Sequence, residues 1–119
     1  MLLGLGCNAG TRSPEGAVRA FAEASSDGDR EGAWRLLGPA TRGKLESDAR
    51  RAAELSGRRP LKPAEMLAVG WFPPRFRADD VRELARTGAD ATVEVRGARG
   101  ERETVRCVRV DGDWRVELP

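Results

Sequence analysis

Apolar positions recur along the first half of the chain at helical spacing and along the second half at strand spacing. Ser13-Pro14-Glu15 reads as a helix start. Serine caps, proline suits the first helical position, and the acid favours the positive dipole end. Val18, Phe21, Ala22 and Ser25 then share one face, with Arg19 and Glu23 outside. Ser26-Asp27-Gly28 stops this helix, and Asp29 caps a second expected over about 30–37. Ala33, Trp34 and Leu37 form its inner face, and Gly38-Pro39 ends it. A third helix is expected from about 40 to Gly57, with Leu45, Ala49, Ala52 and Leu55 on one stripe.

Positions 58–77 carry little periodicity. Pro63-Ala64-Glu65-Met66-Leu67 reads as a short helix start. Trp71-Phe72-Pro73-Pro74-Arg75-Phe76 is apolar, yet its prolines remove the ladder donors a central strand needs. It is expected to cross an edge or mouth of the domain.

The period then changes to two. A first strand with imperfect alternation is expected over 80–86, and Gly88-Ala89-Asp90 turns the chain. Ala91, Val93 and Val95 alternate with Thr92, Glu94 and Arg96 in the second strand, which Gly97-Ala98-Arg99-Gly100 ends. The third covers 102–110. Its apolar phase passes from Val105 and Cys107 to Val108 and Val110, which predicts a bulge or burial on both faces. Asp111-Gly112-Asp113 is a hairpin signal, and Trp114, Val116 and Leu118 mark the last strand. The pattern as a whole predicts an α+β fold: three N-terminal helices packed on a curved four-stranded antiparallel β-meander.

Composition narrows the picture. A chain of 119 residues suits one domain and buries roughly two-thirds of its unfolded surface. Charged residues make up 34%, but the net charge is only +2 with both signs interspersed, so a nucleic-acid partner is not expected. The chain has no His and no Tyr. Ser–His–Asp and Cys–His catalysis and histidine zinc sites therefore fail for want of residues. No cofactor and no metal are expected. Cys7 and Cys107 are the two cysteines. Cys107, inside a strand pattern, reads as a buried free thiol rather than a disulfide partner or a reactive group.

The opening Leu2-Leu3-Gly4-Leu5-Gly6-Cys7-Asn8-Ala9-Gly10 resembles the end of a bacterial lipoprotein signal peptide. That resemblance implies a lipidated Cys7, a tether over 1–12 and an extracytoplasmic domain over 13–119 at the cell envelope. It also implies a basic segment and more apolar residues upstream of Met1. A frayed terminus is the alternative.

Pro14-Glu15-Gly16-Ala17-Val18-Arg19-Ala20-Phe21, Asp27-Gly28-Asp29, Ala33-Trp34-Arg35-Leu36-Leu37 and Asp111-Gly112-Asp113-Trp114-Arg115-Val116 together resemble the NTF2-like (cystatin-like) α+β superfamily, and within it small bacterial lipoproteins of unknown function. The resemblance implies a sheet wrapping a long helix with an apolar cone between them. It leaves activity open, because members include enzymes and non-enzymes. Enzymes of the superfamily often use Asp–His or Tyr–Asp pairs, which this chain lacks.

The leading expectation is a non-enzymatic, membrane-tethered domain with a binding or structural role. Phe21, Trp34, Leu37, Trp71, Phe72, Phe76 and Trp114 are the residues most able to line a cone for a small apolar molecule, or to fill the core instead. A second alternative is an enzyme with a lone buried carboxylate, for which Glu65, Asp79 and Asp80 are candidates. A homodimer through the outer sheet face is a further possibility, although Thr92, Glu94 and Arg96 make that face polar. Gly38 to Leu45 fits G-x-x-x-x-G-K but ends in leucine where a magnesium ligand is needed, so it reads as a helix turn. Arg50-Arg51 and Arg58-Arg59, beside Asp48 and Glu54, read as a solvated face.

Overall fold

The structure, a computed structural model, describes residues 10–57, 62–67 and 80–118. Cys7, Arg58, Arg59, Trp71, Phe72, Phe76 and Asp79 lie outside the described residues. The described chain forms helices α1 (Pro14–Ser26), α2 (Arg30–Arg35) and α3 (Pro39–Ser56), a 3-10 turn (Pro63–Met66), and strands β1 (Asp80–Thr87), β2 (Asp90–Arg96), β3 (Arg102–Val110) and β4 (Asp113–Glu117). The strands make one antiparallel sheet in the order β1-β2-β3-β4.

Local capping explains the first two helix starts. The Ser13 side chain accepts from the Gly16 N–H at 3.0 Å, and Asp29 Oδ1 accepts from the Gly32 N–H at 2.9 Å. α1 lies across the sheet and touches all four strands. Its Ala17, Val18 and Phe21 pack with Val93, Val95, Val105, Cys107, Trp114 and Val116 in one buried cluster. Ahead of it, the Thr11 carbonyl accepts from the Trp114 N–H at 2.8 Å, and the Thr11 hydroxyl donates to Asp113 at 3.0 Å. The chain is thus tied to β4 before α1 begins.

Two expectations are corrected. α2 ends at Arg35 rather than Leu37. The Leu36 carbonyl accepts from the Val116 N–H at 2.7 Å, and the Gly38 N–H donates to the Val116 carbonyl at 2.8 Å. Leu37 therefore bridges in parallel to Val116. It is still buried, because extending the free edge of β4 points it into the core. Leu55 is 80% exposed, not part of a buried stripe. On α3, Ala49 is buried and Leu45 half-buried where the helix meets the 3-10 turn and the end of β4, whereas Leu55 in its last turn is open to solvent.

Of the two readings of β3, a bulge or burial on both faces, the second fits: β3 keeps an unbroken register with both neighbours, and Val108 and Val110 are half-buried on the face away from α1. The irregularity lies in β1 between Glu83 and Ala85, where Leu84 is the extra residue, 50% exposed. Beyond it the β3–β4 hairpin turns on Asp111 and Gly112, both with positive φ (52° and 85°), as a two-residue primed turn requires.

Truncation should separate core from periphery. Phe21→Ala is expected to cost about 3–5 kcal/mol, and Leu55→Ala to stay within about 0.5 kcal/mol. Urea unfolding of the two variants checks this.

Candidate functional site: a cleft beside a buried helix cap

α3 begins without a capping side chain of its own. Gly38 holds the N-cap position and Pro39 follows it, so the first donors left open are the N–H groups of Ala40 and Thr41. Glu117, at the end of β4 and 6% exposed, supplies the missing acceptor. Its Oε1 accepts from the Thr41 N–H at 2.9 Å and from the Thr41 hydroxyl at 2.5 Å. Its Oε2 accepts from the Ala40 N–H at 3.3 Å. The Thr41 hydroxyl in turn accepts from the Leu118 N–H at 2.9 Å. A carboxylate at a helix N-terminus also meets the positive end of the dipole. Gly38 has ordinary φ and ψ (−77° and 170°), so its backbone does not demand glycine. Space does: a Cβ there would run into the Glu117 carboxylate.

This knot forms one wall of a cleft of about 380 Å³. Ala40, Leu45, Met66, Leu67 and Leu118 give it an apolar lining, with Lys44, Asp48 and Arg106 as its charged members and Glu117 and Thr41 at its base. The volume is within the range of small-molecule sites. Both Glu117 oxygens are already engaged by α3, so the buried carboxylate serves the helix start rather than standing free for proton transfer. The other candidate carboxylates are elsewhere. Glu65 is exposed and accepts from the Lys62 N–H at 2.8 Å, and Asp80 is exposed at the start of β1. No group of three potential metal ligands occurs among the described residues.

The aromatic and aliphatic candidates stand apart from this cleft. Phe21, Leu37 and Trp114 are each 1% exposed in the main core. Trp34 is half-buried, with the Arg42 guanidinium 5.4 Å from its ring centre. The structure therefore brings three of them together as core packing, and the cleft forms from residues that sequence reading did not single out. Their signal was faint: Thr41 and Lys44 sit inside a decoy motif, and Glu117 looks like an ordinary outward strand residue.

At the other end of the core the β1 bulge brings Glu83 and Arg86 to the same face. Arg86 Nε and Nη2 donate to the two Glu83 oxygens at 2.9 and 2.7 Å, and the guanidinium sits 5.1 Å from the Trp114 ring centre. The Arg86 hydrogen bonds hold the Glu83 carboxyl below its usual range. Cys107 lies beneath, a free, fully buried thiol whose pKa is pushed up to about 12, first by burial and then by the Glu83 charge. This places Cys107 among inert structural thiols. No family model, curated protein or solved structure matches the chain.

Gly38→Ala and Glu117→Ala are each expected to cost about 1–3 kcal/mol. The double variant should cost less than their sum by about 0.5–3 kcal/mol, because removing the carboxylate makes room for the added methyl. A double-mutant cycle in urea measures the coupling. For Cys107, the folded pKa is raised, so its contribution is fully present below the unfolded value near 8.5 and is lost as pH rises towards about 12. Alkaline melts should show a falling stability that Cys107→Ala makes shallower, and an aromatic disulfide reagent at pH 8 should label Cys107 only after unfolding.

Proposed function

We propose that this is a non-enzymatic, NTF2-like binding domain, held at the cell envelope by lipid on Cys7, that takes a small apolar molecule in the cleft beside Glu117. The observation that carries the binding reading is the cleft itself: about 380 Å³ with a mostly aliphatic lining, next to a carboxylate whose oxygens are already occupied. A pocket built this way offers burial of apolar area and few groups for chemistry. The residue inventory supports the same reading, since the chain holds neither His nor Tyr. The order of three helices followed by a meander is compatible with the superfamily resemblance.

The anchor rests on the Gly6-Cys7 junction. No helix among the described residues is long and apolar enough to cross a membrane. Lipid chains supply about 0.8 kcal/mol per buried methylene, enough for several together to hold the domain firmly. The first described residues are tied to β4 at Thr11, which leaves a short leash from Cys7 to the domain.

The two halves of the proposal are tested separately. Ala40 is exposed at the cleft wall, so Ala40→Trp should fill the cleft without entering the core. The environment-sensitive dye anilinonaphthalene sulfonate should bind the folded protein saturably, and Ala40→Trp should weaken it about tenfold or more, equivalent to about 1.4 kcal/mol. Unchanged binding in that variant removes the cleft reading. When the gene is expressed in bacteria with its native upstream sequence, a palmitate analogue should label the protein, and Cys7→Ser should abolish the label. A label that persists in Cys7→Ser removes the anchor.

A further inference from the structure

On the far side of the Glu117 knot, two arginines converge on one backbone carbonyl. Arg42 Nη2 donates to the Arg35 carbonyl at 3.0 Å, and Arg42 Nε donates to the Trp34 carbonyl at 3.3 Å. Arg115 Nη1 donates to the same Arg35 carbonyl in a short contact. These are the last carbonyls of α2, where cations meet the negative end of the dipole. That capping role accounts for three of the donors. It does not account for the rest.

Arg115 Nε is buried and has no hydrogen-bond partner among the described residues. Neither guanidinium forms an ion pair among the described residues. Glu46, one turn along α3, acts on Arg42 only at a distance, and Arg115 opposes it. Two like charges held together with an orphaned donor form an arrangement that structures seldom keep without a use. Both groups are also held in place: Arg42 stacks on the Trp34 ring, and Arg115 is fixed by β4. With three donors spent on those carbonyls, Arg42 Nη1 and Arg115 Nη2 remain as charged ends approaching from different elements, and a tetrahedral phosphate offers an oxygen to each.

We propose that Arg42 and Arg115 form a binding site for a phosphate group, at the junction of the α2 C-terminus, α3 and β4. Free phosphate compounds and lipid headgroups share this chemistry. The inference is independent of the cleft and of the anchor, because it concerns other side chains and a soluble probe.

The test follows the arginine Nε–H signals of the whole 15N-labelled chain during titration with inorganic phosphate, at ionic strength held constant with chloride. A saturable shift of the Arg42 and Arg115 signals is expected, together with a higher melting temperature. Arg115→Gln and Arg115→Lys should each weaken binding by about tenfold, the second because a point charge lacks the fork. Circular dichroism shows whether each variant folds. Arg42→Gln gives the same reading should Arg115→Gln fail to fold. Cys7→Ser and Ala40→Trp should leave phosphate affinity unchanged, so a failure of the cleft or the anchor is distinguishable from a failure here. Sedimentation with phosphatidylglycerol vesicles then assigns the source. Arginine-dependent capture by vesicles supports a headgroup, and phosphate binding without capture supports a free anion. A linear, non-saturating response, a shift equally produced by chloride alone, or unchanged affinity in the folded arginine variants overturns the proposal.

Discussion

The seating of α3 and the cleft beside it hang on a carboxylate that reaches from the end of one strand to the start of a helix. Glu117 and Thr41 are 76 residues apart in sequence, and their contact joins the end of β4 to the first turn of α3. Helix starts leave donors open, and a buried start with open donors is costly. Proline removes one donor at position 39, and Glu117 takes the next two. Glycine at position 38 is the steric counterpart, because the carboxylate occupies the space of a side chain there. Glu117 and Thr41, which hold α3 on β4, also line the cleft. One polar contact thus fixes how α3 sits against β4 at the wall of that cleft.

The opposite end of the core depends on a departure from regularity. In an unbroken strand, residues three apart point to opposite faces. The extra residue at Leu84 turns Arg86 onto the face of Glu83, so the two side chains pair above Trp114. An exposed ion pair of this kind contributes little by itself. Its consequence is positional. It lays a guanidinium over the largest buried side chain and sets a negative charge near Cys107, which adds to the burial that chiefly keeps the thiol protonated.

The parts of the fold that were legible in the sequence are those with local causes. Ser13 and Asp29 cap helices through donors three residues away, and both starts were readable. So were the Asp111-Gly112 hairpin and the alternation of β2. The misread parts have distant causes. Leu37 fits a helical stripe, yet Val116 draws it into an edge bridge. The phase change in β3 left a bulge and burial on both faces open, and the unbroken register with Val108 and Val110 half-buried on the second face fits the latter. The true bulge showed only as weak alternation in β1, which has several weaker explanations. For the site, Glu117 alternates with Val116 like any strand residue, and nothing near it in sequence reveals the helix it caps.

Glu117 and Arg115 lie two residues apart on β4 and share the face turned away from Trp114 and Val116. One is an anion placed at a helix N-terminus, the other a cation placed at a helix C-terminus. The strand thus presents each charge to the helix end that its sign favours. The difference lies in how completely each is satisfied. Glu117 has both oxygens engaged, whereas Arg115 keeps a buried donor without a partner among the described residues. A fully satisfied buried charge is explained by the fold that it holds together. A partly satisfied one is explained by the fold only in part, and the arginine pair is where this sheet end retains capacity to bind something more.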